Sequence, residues 1–166
     1  MTHQKGFTLL EVLLVIVIIA VSAAGIVAMQ SERLGPSGKL RQQIEIFTQT
    51  VEFAADLALL EKHVVGLRLT TDGWLFYQPV RDPAHGWQWE EMANSDNLPL
   101  TGQWGASVKP DVAPPPERAK PQVIILPDGY VTPFALRFSH QNGAAMLSLR
   151  CNGSLPLDIR LPEEPQ

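Results

Sequence analysis

The sequence predicts an α+β fold, a long N-terminal helix lying against small antiparallel β-sheets. Three observations carry the prediction. An apolar run without formal charge, Val12 to Ser31, stands near the start. A stretch with the 3.6-residue apolar period follows, from Lys39 to about His63. From Val64 onward the period is two, and Asx-Gly pairs punctuate the alternation.

The first run is mostly Val, Ile, Leu and Ala over 20 residues. At ~1.5 Å per residue, a helix of that length covers the ~30 Å of a bilayer's hydrocarbon core. A helix also satisfies its own backbone hydrogen bonds, which lipid cannot do. Glu11 stands at the head of the run, where a carboxylate costs up to about a few kcal/mol and asks for a partner. A partner on the same helix would lie three or four residues on, and Leu14 and Val15 cannot serve. The expected partner is outside the chain, or the carboxylate stays at the interface.

Gly35-Pro36-Ser37-Gly38 interrupts the helical pattern, which predicts a kink or short break with Ser37 capping the helix that follows. In that helix Leu40, Ile44, Phe47, Val51 and Ala55 or Ala58 share one face. Ile46, Phe53, Leu57 and Leu60 widen the stripe, and Glu45, Gln49, Glu52, Asp56 and Glu61 hold polar positions. The stripe is expected to pack on the sheet that follows, with binding of a second subunit as the alternative.

Val65, Leu67 and Leu69 alternate with polar or small residues, Thr71-Asp72-Gly73 turns the chain, and Trp74 to Val80 makes a second strand. Trp87-Gln88-Trp89 is readable as a short strand with both rings on one face. Residues 110 to 121 contain five prolines, so the stretch is expected to be an exposed, extended loop and not a strand. Strands are then expected over Gln122–Leu126, around Phe134–Phe138, over Ala145–Leu149 and over Leu155–Leu161. Pro127-Asp128-Gly129, Asn142-Gly143 and Asn152-Gly153 join them into an antiparallel meander with one face in a core.

Composition narrows the chemistry. Residues 32 to 166 carry 12 basic and 16 acidic side chains, a net charge of −4 with no basic cluster. That leaves no electrostatic footprint for nucleic acid. Cys151 is the only cysteine, so an intrachain disulfide is impossible. There is no phosphate-cradling Gly-rich loop, no HExxH and no CxxC, and His63, His85 and His140 are dispersed. No metal site and no cofactor are expected, and no enzyme. His140 and Cys151 across the meander would imitate a nucleophile–base pair, but nothing supplies an orienting group. Glu90-Glu91 reads as a solvated pair, and Asn152-Gly153-Ser154 as a turn despite matching a glycosylation acceptor. Trp74, Trp87, Trp89 and Trp104 are expected in core and rim packing, with a recognition surface as the alternative.

Gly6-Phe7-Thr8-Leu9-Leu10-Glu11-Val12-Leu13 resembles the class III signal of type IV pilins and type II secretion pseudopilins. The resemblance implies cleavage between Gly6 and Phe7 by a prepilin peptidase, N-methylation of Phe7, and assembly into a helical filament through Phe7 and Glu11. A conventional secretory signal and a plain anchor are the competing readings. Glu11 inside the apolar segment and a Gly-Phe junction after Lys5 argue against the first. Further on, Gly66-Leu67-Arg68-Leu69, Gly73-Trp74-Leu75-Phe76, Ile124-Ile125-Leu126-Pro127-Asp128-Gly129 and Phe134-Ala135-Leu136 are similar to H-type minor pseudopilins of type II secretion. Minor pilins of type IV pili, acting in pilus assembly or in adhesion or DNA binding, share much of this pattern and stand as the alternative.

The implied layout is a leader over 1–6, a transmembrane and assembly helix over 7–30, a kink and amphipathic helix over 31–63, and an antiparallel β domain over 64–166. The implied partners are the peptidase, the inner membrane, the major subunit and other minor tip subunits. The implied location is the bacterial inner membrane, with the C-terminal domain in the periplasm. The calcium-binding acidic loop of major pseudopilins has no counterpart here.

Overall fold

The computed structural model describes residues 13–15, 17–18, 35–94, 99–105, 108–118, 120–140 and 142–161. The chain divides into two units, 1–38 and 39–166. In the first, the described residues 13–15 and 17–18 are helical.

Helix α1 spans Pro36–Glu61. Proline stands at its first position because the N–H it lacks has no intrahelical acceptor there. Ser37 therefore lies inside the first turn and is not the cap expected of it. The helix ends two residues before His63, with Lys62 at φ 53° in the left-handed conformation that terminates helices. Leu40, Ile44, Phe47, Val51, Ala54 and Ala58 are buried along one face. Leu60, assigned to the apolar stripe, is 78% exposed. Thr50 is buried among them, and its hydroxyl donates to the Ile46 carbonyl at 2.7 Å, so no polar atom is stranded.

Among the described residues nine strands follow: β1 Val65–Leu69, β2 Gly73–Asp82, β3 Gly86–Glu91, β4 Thr101–Gln103, β5 Pro110–Ala113, β6 Val123–Ile125, β7 Phe134–Ser139, β8 Ala145–Cys151 and β9 Asp158–Arg160. They form two antiparallel sheets. The first has the order β3-β2-β1-β6, with β4 also on β2. The second has the order β5-β7-β8-β9. Strands β3 and β4 lie end to end on one edge of β2, which pairs with β3 through Tyr77–Asp82 and with β4 through Gly73–Leu75.

Two expectations about connectivity fail for physical reasons. The strand at Gln122–Leu126 does not begin the C-terminal meander. It pairs with β1 in the first sheet, in the register Val65↔Ile125 to Leu67↔Val123. The Asp128-Gly129 turn forms, with Gly129 N–H donating to the Leu126 carbonyl, and the chain pairs back on β6 only over Tyr130–Thr132 before it leaves for the second sheet. Local turn chemistry is blind to that choice. Second, the proline-rich stretch opens with a strand, β5, paired with β7 from Pro110↔Phe138 to Ala113↔Ala135. Pro110 is tolerated as the first residue of an edge strand. Pro110 and Val112 turn inward, while residues 113–118 are exposed.

The side chain of Gln122 extends the short β1–β6 ladder. Its Nε2 donates to the Leu69 carbonyl at 2.7 Å, and its Oε1 accepts the Leu69 N–H at 3.2 Å. A primary amide here does the work of one more residue of backbone pairing.

The core sits among helix and sheets, and its centre is aromatic. Phe47 meets Trp74 at 5.3 Å, Trp104 at 5.1 Å and Phe134 at 6.3 Å between ring centroids, all edge-to-face. Trp104 also packs on Trp74 at 4.6 Å and on Phe138 at 5.4 Å. It stands in the stretch the periodicity left irregular, beyond β4, and is held there twice. Its backbone N–H donates to Asp72 O at 3.0 Å, and its indole N–H to Thr70 O at 2.9 Å. The β1–β2 turn thus anchors the ring that bridges both sheets. Gly102 makes room, because a Cβ there would stand 2.1 Å from the Trp74 ring.

Replacing Phe47 with Ala removes one ring from three partners and leaves a void. Unfolding of the full chain in detergent by urea should show a loss of about 3–5 kcal/mol. A loss below about 1 kcal/mol would mean that the cluster is not the centre of stability.

Candidate assembly site

Gly6, Phe7 and Glu11, the residues expected to carry processing and assembly, lie outside the described residues. Next to them Leu13, Leu14, Val15, Val17 and Ile18 are helical and exposed. Successive helical positions are ~100° apart, so these five residues spread apolar surface around the axis. Among the described residues no helix is long and apolar enough to cross a membrane.

Titratable groups of the second unit form isolated pairs, most of them exposed. His63 Nδ1 lies 3.1 Å from Glu61 Oε2, and His85 Nδ1 3.1 Å from Asp82 Oδ1. Lys109 Nζ lies 3.2 Å from Asp72, and Arg160 pairs with Asp158 at 2.8 Å. The backbone N–H groups of His85 and Ala84 hold the Asp82 carboxyl below its usual range, which makes it a turn cap. The carboxylate of Asp158 raises Arg160 in turn. Among the described residues no three His, Cys, Asp or Glu side chains converge as metal ligands.

The imagined His140–Cys151 pair does not exist. Cys151 is opposite Phe134 in the β7–β8 ladder, whereas His140 follows Ser139 at the far end. Six residues of strand separate them, roughly 20 Å. Cys151 is buried, with its Sγ 3.6 Å from the Ser154 carbonyl.

What remains is surface. Between α1 and the β8–β9 edge lies an open cavity of about 500 Å³, lined by Arg41, Ile44, Glu45, Thr48 and Gln49 of the helix and by Leu147, Ile159 and Leu161. The alternation over Leu155–Leu161 placed all its apolar residues inside. Only Leu157 is buried there, and Ile159 and Leu161 are exposed beside the cavity. The four tryptophans also divide. Trp74 and Trp104 are core, Trp89 is half-buried and Trp87 is 72% exposed. The strand expected at Trp87-Gln88-Trp89 forms, and the two rings share a face as the period-two spacing requires. That face turns away from the core, where Trp89 and Pro121 close over Gly66. A Cβ on Gly66 would stand 2.6 Å from Pro121 Cγ and 2.9 Å from Trp89 Cζ3. Sequence reasoning had no signal for this closure beyond the glycine itself.

Comparisons with known proteins bear on both units. Residues 1–27 match the prokaryotic N-terminal methylation motif. The chain is 31% identical to the type II secretion system protein H of Escherichia coli K12, over 99% of this chain and 98% of the relative. It is similar to the solution structure of E. coli GspH, with 31% identity and a TM-score of 0.61 over 75% of this chain and 89% of that one. The minor pseudopilin EpsH from the type 2 secretion system of Vibrio cholerae shares the fold at 22% identity, with a TM-score of 0.57 over 76% of this chain and 99% of that one.

Substituting Gly66 by Ala should displace the two rings above it, since neither proline nor indole can give way by bending. The expected outcome is a loss of about 1–3 kcal/mol in urea unfolding together with a shift in tryptophan emission. Unchanged emission would mean that the rings do not close on this glycine.

Proposed function

We propose a mechanical function on one premise: the chain belongs to the type II secretion system protein H family, the H-type minor pseudopilins. It acts as a structural subunit of the pseudopilus, near the filament tip, where it supports assembly and the export of folded proteins across the outer membrane. The observation that carries this reading is that a methylation-type N-terminus and the two-sheet domain occur in one chain.

Each segment then has a physical task. A prepilin peptidase cuts between Gly6 and Phe7 and methylates Phe7. The apolar helix stores the subunit in the inner membrane, with the β domain in the periplasm. Assembly moves that helix from lipid into a bundle of other pseudopilin helices, which costs little because both surroundings are apolar. The exception is Glu11, an isolated carboxylate in a low-dielectric bundle. The new N-terminal ammonium on Phe7 of a neighbouring subunit neutralises it, so the pair is buried together rather than singly. That requirement sets the axial register between subunits. The isolated, exposed ion pairs of the domain support a structural rather than a catalytic role.

The N-terminal mass of protein purified from its own membranes tests the pathway, with a mature chain starting at methylated Phe7 expected. An intact Met1 or a start near Ala23 would remove the filament reading. Gly6→Ala should leave the chain uncut, visible as an unprocessed band. Glu11→Val should be processed normally yet enter filaments at least about tenfold less, as loss of a buried charge partner worth a few kcal/mol requires. Normal secretion by that variant would count against the role of Glu11.

A further inference from the structure

Two exposed features of the β domain remain unused by this function, and they complement each other. The first is the outer face of β2 and β3. Trp87, Trp89 and Glu91 lie there opposite Arg81, Pro79 and Tyr77. At one end of the face Trp89 and Pro121 close over Gly66, so proline against tryptophan is already how this face is built. At the other end Trp87 is 72% exposed. The second feature is the segment Pro114-Pro115-Pro116-Glu117-Arg118, exposed throughout. Prolines fix φ and lack a donor, so such a segment is already extended and loses little entropy on docking. Aromatic-lined surfaces recognise proline-rich segments for that reason.

We propose that the Trp87 face of one copy receives the Pro114–Pro116 segment of a second copy of this chain. Charge selects this occupant. With Pro115 over Trp87, Glu117 lies about 6 Å further along an extended chain, within reach of Arg81, which is directly across the strand pair from Trp87. Arg118 then lies on the side of Glu91, the exposed carboxylate that shares this face and accepts the Tyr77 hydroxyl at 3.3 Å. Among the described residues Arg81, Glu117 and Arg118 have no ion-pair partner. Within one chain both features are exposed, so neither covers the other. The contact joins unlike surfaces, so each copy keeps a free face or a free segment, and copies add in line rather than closing as a symmetric pair.

The test uses the full-length chain in detergent, with Arg81→Cys in one tagged copy and Glu117→Cys in another. The parent, whose only thiol is the buried Cys151, is the control. Under mild oxidation the mixture should give a disulfide-linked dimer carrying both tags, about tenfold above either variant alone. Adding Trp87→Ala should lower that yield about tenfold, as loss of a binding anchor does, and so should Pro115→Ser with Pro116→Ser. Trp87 is exposed, so its removal leaves the core intact. Three outcomes would overturn the proposal: no excess of the mixed dimer, a mixed dimer that survives Trp87→Ala, or equal yields from Arg81→Cys alone. Copies held together elsewhere in the chain do not confuse the readout, which is the identity of the cross-linked pair. The family function does not depend on the result, because it is read from the processed N-terminus.

Discussion

The domain depends on one aromatic contact set. Phe47 comes from the helix, Trp74 from the first sheet, Phe134 from the second, and Trp104 from the segment between them. Each edge-to-face pair contributes about 0.5–1.5 kcal/mol beyond simple burial. The larger effect is geometric. Rings that meet at fixed angles set the distance and tilt between three layers whose helix and strands are not paired with one another among the described residues. Gly73 and Gly102 serve the same end, since a side chain on either would collide with its neighbour across β2 and β4. The cluster is not free of cost. The indole N–H of Trp74 is buried without an acceptor among the described residues, a penalty of roughly 1–3 kcal/mol that the packing has to outweigh.

How much of this was legible in the residues depended on the range of the interaction. The helix face, the β1–β2 hairpin, the Trp87-Gln88-Trp89 strand and the β7–β8 pair all follow from periodicity and Asx-Gly turns, which act over a few positions. The α+β class followed from the same signals. What escaped was decided at a distance. Strand β6 has the alternation of a meander strand, and nothing within ten residues says that it pairs with β1. Pro110 looked like a loop residue because proline removes a donor, but the first position of an edge strand needs none there. Ser37 looked like a cap because serine caps helices, and Pro36 took the start instead. Ile159 alternates as if buried, but the three-residue strand that carries it lies at the edge of its sheet, beside an open cavity. The N-terminal motif was the most legible feature of all, since a carboxylate at the head of an apolar helix has few physical explanations.

The two parts of the chain obey different solvents. The β domain buries most of its apolar residues within itself and leaves charged pairs at its surface. The helical residues near the start keep apolar surface outward, a choice that makes sense only where lipid or other subunits replace water. A subunit of this kind is soluble at one end and insoluble at the other. In the assembly proposed above one apolar environment is exchanged for another with little hydrophobic driving force, so specificity would fall to the few polar groups present. In such a setting a single carboxylate carries more positional information than many leucines.

The order in which the sheets receive their strands has a mechanical consequence. The chain lays down β1 to β4 in one sheet, β5 in the other, returns for β6, and ends with β7 to β9 in the second. The first sheet is complete only after two crossings between them, and the second only after three. Most of these pairings are antiparallel neighbours, but β1–β6 and β5–β7 close long loops, so the two sheets are completed together. Tension applied at the N-terminus, as in a filament that pushes or is pulled, cannot peel away one sheet while sparing the other. The domain resists as a single knotless weave, which suits a part that transmits force instead of transforming a substrate.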